Sequence, residues 1–148
     1  TKEDIITELV DTLTNCGRVK NKQNLIEAVL ERERSLSTGM SDGIAIPHAR
    51  SDSVESVCFA VGIKREGVDF GSLDGRPARI FVLIASPQHS PGPHLQLLAT
   101  LGGLLKEASL RQQLLEARSP EGLVAILSAG APRGVPAVSR RPVEQTPS

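Results

Sequence analysis

The chain has 148 residues, 39% of them hydrophobic, and its 17 Lys and Arg balance its 17 Asp and Glu. That length suffices for one domain with a proper core, and the composition excludes an intrinsically disordered or supercharged chain. The charge balance argues against nucleic acid as a main partner, because a phosphate-backbone binder carries a basic excess.

No apolar run is long enough to span a bilayer and no signal-peptide pattern opens the chain, so no direct membrane insertion is expected. Cys16 and Cys58 stand outside any C-x-x-C pair, which suits reduced thiols and a cytoplasmic location. With three Phe, no Trp and no Tyr, the core has to be built from Leu, Ile, Val and Ala, and aromatic stacking platforms are not expected.

In chain order, Ile5, Ile6, Leu9, Val10 and Leu13 fall at helical spacing and predict an amphipathic helix over 2–16, with Gly17 as its stop. Asn21 is placed to cap a second helix over about 22–34, with Leu25, Ile26, Val29 and Leu30 as its buried stripe. Arg32 and Arg34 in its last turn complement the negative end of the helix dipole. From Ser35 to Gly43 the chain reads as a loop, followed by a short strand, Ile44-Ala45-Ile46, closed by Pro47.

Val57 to Ile63 has strand length, Gly67 to Phe70 reads as a turn with an edge strand, and Asp74-Gly75 reads as a further turn. Ala78 to Ala85 is the strongest strand and is expected at the centre of its sheet. After the proline-bearing segment Ser86 to Pro93, a leucine-rich helix is predicted from about His94 to about Lys106 and another over about 109–118. Ser119-Pro120 then caps and opens a last helix. Beyond Gly130, four prolines and no apolar periodicity predict a disordered tail or linker over 131–148. Strands interleaved with helices give an α/β domain over 1–130 with a single mixed sheet, hairpins dominating its middle.

His48 is the candidate nucleophile. Pro47 fixes its own φ and holds Ile46 extended, so the backbone entering the histidine has little freedom, and the strand must end or run along an edge there. Neutral imidazole has a pKa near 6.5 and attacks phosphorus at physiological pH without a separate base. A phosphorylated ring carries nearly two negative charges and needs donors. Arg32 offers a guanidinium fork, Ser37, Thr38 and the Gly39 backbone offer hydroxyl and N–H groups, and His94 offers an imidazole in the first turn of a helix.

Each of these residues also has a plainer reading: a surface histidine after a structural proline, a solvated arginine at a helix end, a packing histidine. Glu33 and Asp42 read as solvated carboxylates or supports of the site, Arg50 as surface charge, and His89 as an incidental loop histidine. His48, His89 and His94 lack a known metal-ligand spacing, and neither G-x-x-x-x-G-K-[ST] nor G-x-G-x-x-G occurs, so no metal or other cofactor is expected.

The stretch Arg32-Glu33, Ser37-Thr38-Gly39 and Gly43-Ile44-Ala45-Ile46-Pro47-His48 resembles the phosphorylation-site signature of type-2 IIA domains of the bacterial phosphoenolpyruvate-dependent sugar phosphotransferase system. These are the fructose, mannitol and nitrogen-regulatory IIA proteins. The resemblance runs from about residue 2 to 128 and includes His94-Leu95 at the head of a leucine-rich helix. It implies a mixed sheet flanked by helices, a phosphoryl group accepted by His48 from phospho-HPr, stabilisation by Arg32 and His94, and delivery to a IIB domain. Family domains usually begin with a further segment that includes a strand, which suggests that this chain is excised from a longer one; the tail is not a family feature.

Three functions stay open on these residues. One is a phosphocarrier in sugar uptake. Another is a regulatory module whose phosphorylation state selects a target protein. The third is a sensor, fused to or docking on a membrane transporter, that keeps the site as an anion pocket.

Overall fold

The computed structural model describes residues 1–89, 91–129 and 137–140. Two helices come first: α1 (Lys2–Asn15), capped by the Thr1 hydroxyl, and α2 (Lys22–Ser35), whose Asn24 N–H donates to Asn21 at 3.0 Å as the cap predicts. Four strands follow: β1 (Ile44–Ala45), β2 (His48–Arg50), β3 (Cys58–Val68) and β4 (Ala78–Ser86). Then come α3 (Pro91–Leu105), α4 (Ala108–Glu116), α5 (Pro120–Ser128) and β5 (Ala137–Arg140).

The sheet is mixed, as expected, but its middle is less hairpin-like than the sequence suggests. β1 and β2 both run parallel to β4 along one edge, pairing Ile44 with Ile80 and His48 with Ile84, while β3 runs antiparallel on the other side of β4. The reason is the link at 51–57, which crosses the end of β4 instead of turning back beside β2. β4 lies at the centre, and its unbroken apolar run follows from burial on both faces.

That double burial divides the core in two. Phe81, Leu83, Ala85, Ala60 and Ala49 face α1 and α2, whereas Ile80, Val82, Ile84, Phe59 and Val61 face the leucines of α3, α4 and α5. The period of two along each strand does this sorting, so even-numbered residues of β1, β2 and β4 look toward α3. His48 and Arg50 belong to that set.

Three boundaries differ from the expectation. The Gly67 turn is instead part of β3, which carries an irregular register between Ile63 and Val68; Gly67 sits at φ +86°, where a Cβ would meet Pro77 Cβ at 2.6 Å. The helix expected from His94 begins three residues earlier, at Pro91. Prolines fit its first turn because the N–H groups there have no intrahelical acceptor.

The third is in the segment expected to be a disordered tail. Residues 137–140 pair in parallel with β3, from Phe59 with Ala137 to Gly62 with Arg140. An open sheet edge offers backbone donors and acceptors to any extended segment, so no apolar periodicity is needed to occupy it. The remainder of that tail, 131–136 and 141–148, lies outside the described residues.

Leu101 of α3 is fully buried in the second core. Leu101→Ala is expected to destabilise the fold by about 2–5 kcal/mol, read as a lower urea midpoint at unchanged slope. An unchanged midpoint would mean that α3 is not packed on the sheet as described.

Candidate functional site

The edge strand breaks at Pro47. Ile84 N–H donates to the Pro47 carbonyl at 3.0 Å, in the register that Ile44 and Ile80 set, and the Ile46 carbonyl faces away from β4, open to another donor. That donor is the His48 ring: Nδ1 lies 2.8 Å from the Ile46 oxygen. A carbonyl only accepts, so the ring proton is on Nδ1 and Nε2 keeps its lone pair. Burial lowers the pKa of His48; the Ile46 carbonyl opposes this, and the Arg32 charge adds to it. The ring is therefore neutral near pH 7.

Three of the expected site residues meet. Arg32, His48 and His94 line one cleft of about 590 Å³, together with Arg50 and Gln88. The His48 and His94 ring centroids are 5.4 Å apart. Arg32 stands in the last turn of α2, and its Nη1 donates to the Leu36 carbonyl at 2.9 Å, which ties the guanidinium to the start of the following loop. His94 is buried, with Nδ1 only 2.6 Å from Ser86 Oγ. Its pKa falls to about 4, through burial first and then the neighbouring His48 and Arg50 charges.

Ser37, Thr38 and Gly39 have their polar groups engaged within the loop. Thr38 N–H and Oγ1 both donate to Glu33, at 2.9 and 2.5 Å, Ser37 Oγ donates to the Phe70 carbonyl, and Gly39 N–H donates to Ser37 Oγ at 3.0 Å. These bonds shape the loop beside His48 and are not turned outward as donors. Gly39 is required for close packing, since a Cβ would come within 2.7 Å of Ser72 Oγ and 3.0 Å of its Cα.

Glu33 is a buried carboxylate, 5% exposed, which overturns its reading as a solvated one. Burial raises its pKa, but the Thr38 hydroxyl, Lys2 at 2.9 Å and the Thr38 N–H together hold it below the usual range. It joins α1, α2 and the loop. Asp42 is elsewhere: its N–H donates to Asp74 at 3.1 Å, and its carboxylate lies 4.0 Å from Arg111. His89 is exposed and does not line the cleft.

Two residues gain weight that the sequence did not give them. Arg50 is two residues past His48 on the same strand face and lines the cleft; its side chain has no hydrogen bond or ion pair among the described residues. Ser86 ends the column Ile80, Val82, Ile84, and a hydroxyl in place of the next apolar residue is the signal that could have found it. The first turn of α3 adds less than the sequence suggests, because Pro91 and Pro93 carry no N–H.

On the other side of His48 lies a second cleft of about 380 Å³, lined largely by Leu36, Met40, Ile46, Leu73 and Leu98. Leu36 and Leu73, both lining this cleft, are 68% and 83% exposed, two large apolar side chains left to solvent at one site. Both cysteines are free, and burial pushes the Cys58 thiol up to about 11, so it is inert.

Fold and site together define an α/β domain that presents a pair of neutral imidazoles at a cationic cleft on the open edge of a mixed sheet. Residues 1–130 match the family model described as phosphoenolpyruvate-dependent sugar phosphotransferase system, EIIA 2, and the chain belongs to that family. It is 41% identical over 127 residues to the PTS system fructose-specific EIIABC component of Bacillus subtilis, covering 86% of this chain but only 20% of that protein. It is 37% identical over 128 residues to the fructose-specific EIIA component of Haloferax volcanii, covering 86% of this chain and 83% of that one. Among solved structures, the nitrogen regulatory protein IIA-Ntr of Neisseria meningitidis superposes with a TM-score of 0.76 at 30% identity, covering 86% of each chain. Among the described residues, no helix is long and apolar enough to cross a membrane.

Because His94 is held near 4 in the fold and near 6.5 when unfolded, the unfolded chain binds its proton first. The stability this contributes is complete above about pH 6.5 and is lost as pH falls toward 4. His48 acts in the same direction. Urea midpoints are expected to drop between pH 6.5 and 4.5, above the carboxylate window, and His94→Gln is expected to flatten that limb. An equally steep limb in the variant would put the titration elsewhere.

Proposed function

We propose that this domain is a phosphocarrier that accepts a phosphoryl group from phospho-HPr on His48 Nε2 and passes it to a IIB domain. The observation that carries the reading is the 2.8 Å contact between His48 Nδ1 and the Ile46 carbonyl. It fixes the tautomer with a lone pair on Nε2 before any donor arrives, so no base has to remove a proton ahead of attack. As the bond from Nε2 to phosphorus forms, the bond from phosphorus to its carrier atom on the donor breaks, and that atom keeps the electron pair. His48 Nδ1 retains its proton against Ile46 and partly offsets the incoming charge.

Arg32 supplies a permanent cation at the same cleft, and His94 supplies an uncharged ring beside His48. Protein-to-protein phosphoryl transfer of this kind is positioning plus charge stabilisation, and the presence of these groups in one cleft supports both roles. The apolar cleft with Leu36 and Leu73 supports a protein as donor and acceptor, since a small phosphorylated metabolite has little use for exposed leucines. The Bacillus relative is named as carrying IIA, IIB and IIC parts together, which supports a IIB domain as the recipient. The likeness to a nitrogen regulatory protein favours a second reading, in which the same phosphorylation controls binding of a regulatory target.

Incubation with enzyme I, HPr and phosphoenolpyruvate is expected to add one acid-labile phosphoryl group by intact mass, lost entirely in His48→Ala. Arg32→Ala is expected to slow that gain by about a hundredfold. A gain that survives in His48→Ala rules out His48 as the acceptor, and transfer onward to a purified IIB domain separates the carrier from the regulatory module.

The apolar cleft gives a separate outcome. Leu73→Glu, at a highly exposed position, is expected to raise the KM for phospho-HPr about tenfold at nearly constant kcat. An unchanged KM would mean that the partner docks elsewhere.

A further inference from the structure

We propose that Ser86 is a positioning residue: its hydroxyl donates to His94 Nδ1 and so keeps the ring proton on Nε2, the nitrogen left to the cleft beside His48. Its part in transfer rests on the phosphocarrier reading; the hydrogen bond and its direction do not.

Two observations fix the direction. Ser86 is wholly buried, and its Oγ has His94 Nδ1 as its sole hydrogen-bond partner among the described residues. Were the ring the donor, the hydroxyl hydrogen would be buried with no acceptor, whereas an unused lone pair on oxygen costs far less. His94 is also neutral at physiological pH, so only one of its nitrogens carries a proton.

Ser86 is itself held firmly. It ends the buried face of β4, registers with Arg50 of β2, and its carbonyl accepts Ser51 N–H at 2.7 Å. The hydroxyl therefore approaches Nδ1 from a strand paired on both sides within the sheet.

The consequence is a matched pair of rings. His48 meets a carbonyl at Nδ1 and offers a lone pair at Nε2; His94 meets a hydroxyl at Nδ1 and offers an N–H at Nε2. The first can form a bond to phosphorus, and the second can donate to a phosphoryl oxygen. In the other tautomer His94 would direct a lone pair at a dianion, which repels it.

The test is long-range proton–nitrogen NMR of the imidazoles in the full 148-residue chain near pH 7.5, with His94→Gln to assign the signals. The wild type is expected to show His94 with a pyrrole-type Nε2 and a pyridine-type Nδ1. In Ser86→Ala the two nitrogens are expected to average between tautomers, and Ser86→Thr is expected to restore the wild-type pattern. Phosphoryl acceptance at His48 is expected to slow about fivefold in Ser86→Ala and to recover in Ser86→Thr. A packing role for Ser86 would shift stability but not the tautomer.

A wild-type His94 protonated on Nδ1 overturns the proposal without any variant, as does an unaltered tautomer in Ser86→Ala. Tautomers that respond as expected in a chain that takes no phosphoryl group would uphold the hydrogen bond and reject the phosphocarrier reading instead.

Discussion

The Ile46 carbonyl is the group around which this domain is arranged. It points away from β4, as the alternation of a parallel strand requires: on the β4 side the Gly43 and Pro47 carbonyls accept from Ile80 and Ile84, while Ile46 turns its own N–H outward to Thr38. This outward acceptor lies within reach of the ring two residues on, and the ring turns to it. The direction of that one carbonyl thereby decides which nitrogen of His48 is protonated. Everything else in the site works from that choice.

Keeping the break in place takes a buried network on the opposite side of the loop. Ile46 N–H donates to the Thr38 carbonyl at 3.2 Å, and Thr38 hangs by its own N–H and hydroxyl from Glu33. Glu33 in turn is neutralised by Lys2 of α1. A buried carboxylate is costly unless each oxygen is satisfied, so the three partners hold one another in a single geometry. The first helix, distant in sequence from His48, thus contributes to its backbone path.

How much of this was legible in the sequence depends on the reach of each signal. The helices and β4 were legible because periodicity reports burial directly, and His48, Arg32 and His94 stood out because their residue types and surroundings suit one anion. The strand at His48–Arg50 was hidden by Pro47, which reads as an end when it is an interruption. Residues 137–140 were hidden because backbone pairing along an edge leaves no pattern in side chains. The donors of Ser37 and Thr38 could not be allotted, since a hydroxyl near a candidate site looks the same whether it faces the site or its own loop. Ser86 required the register: only beside Ile80, Val82 and Ile84 does its place in an apolar column become visible.

The two cores give the site an unusual mechanical footing. His48 projects with the residues packed by α3, α4 and α5, while Arg32 comes from α2, which packs the opposite face and reaches the cleft around the open edge of β2. Nucleophile and cation are thus anchored to different slabs of a sandwich, with the sheet as the shim between them. Any sliding of one slab over the other would appear at full amplitude as an error in their separation. The close packing of both sheet faces, which elsewhere would only stabilise a fold, here sets the tolerance to which the charge is machined.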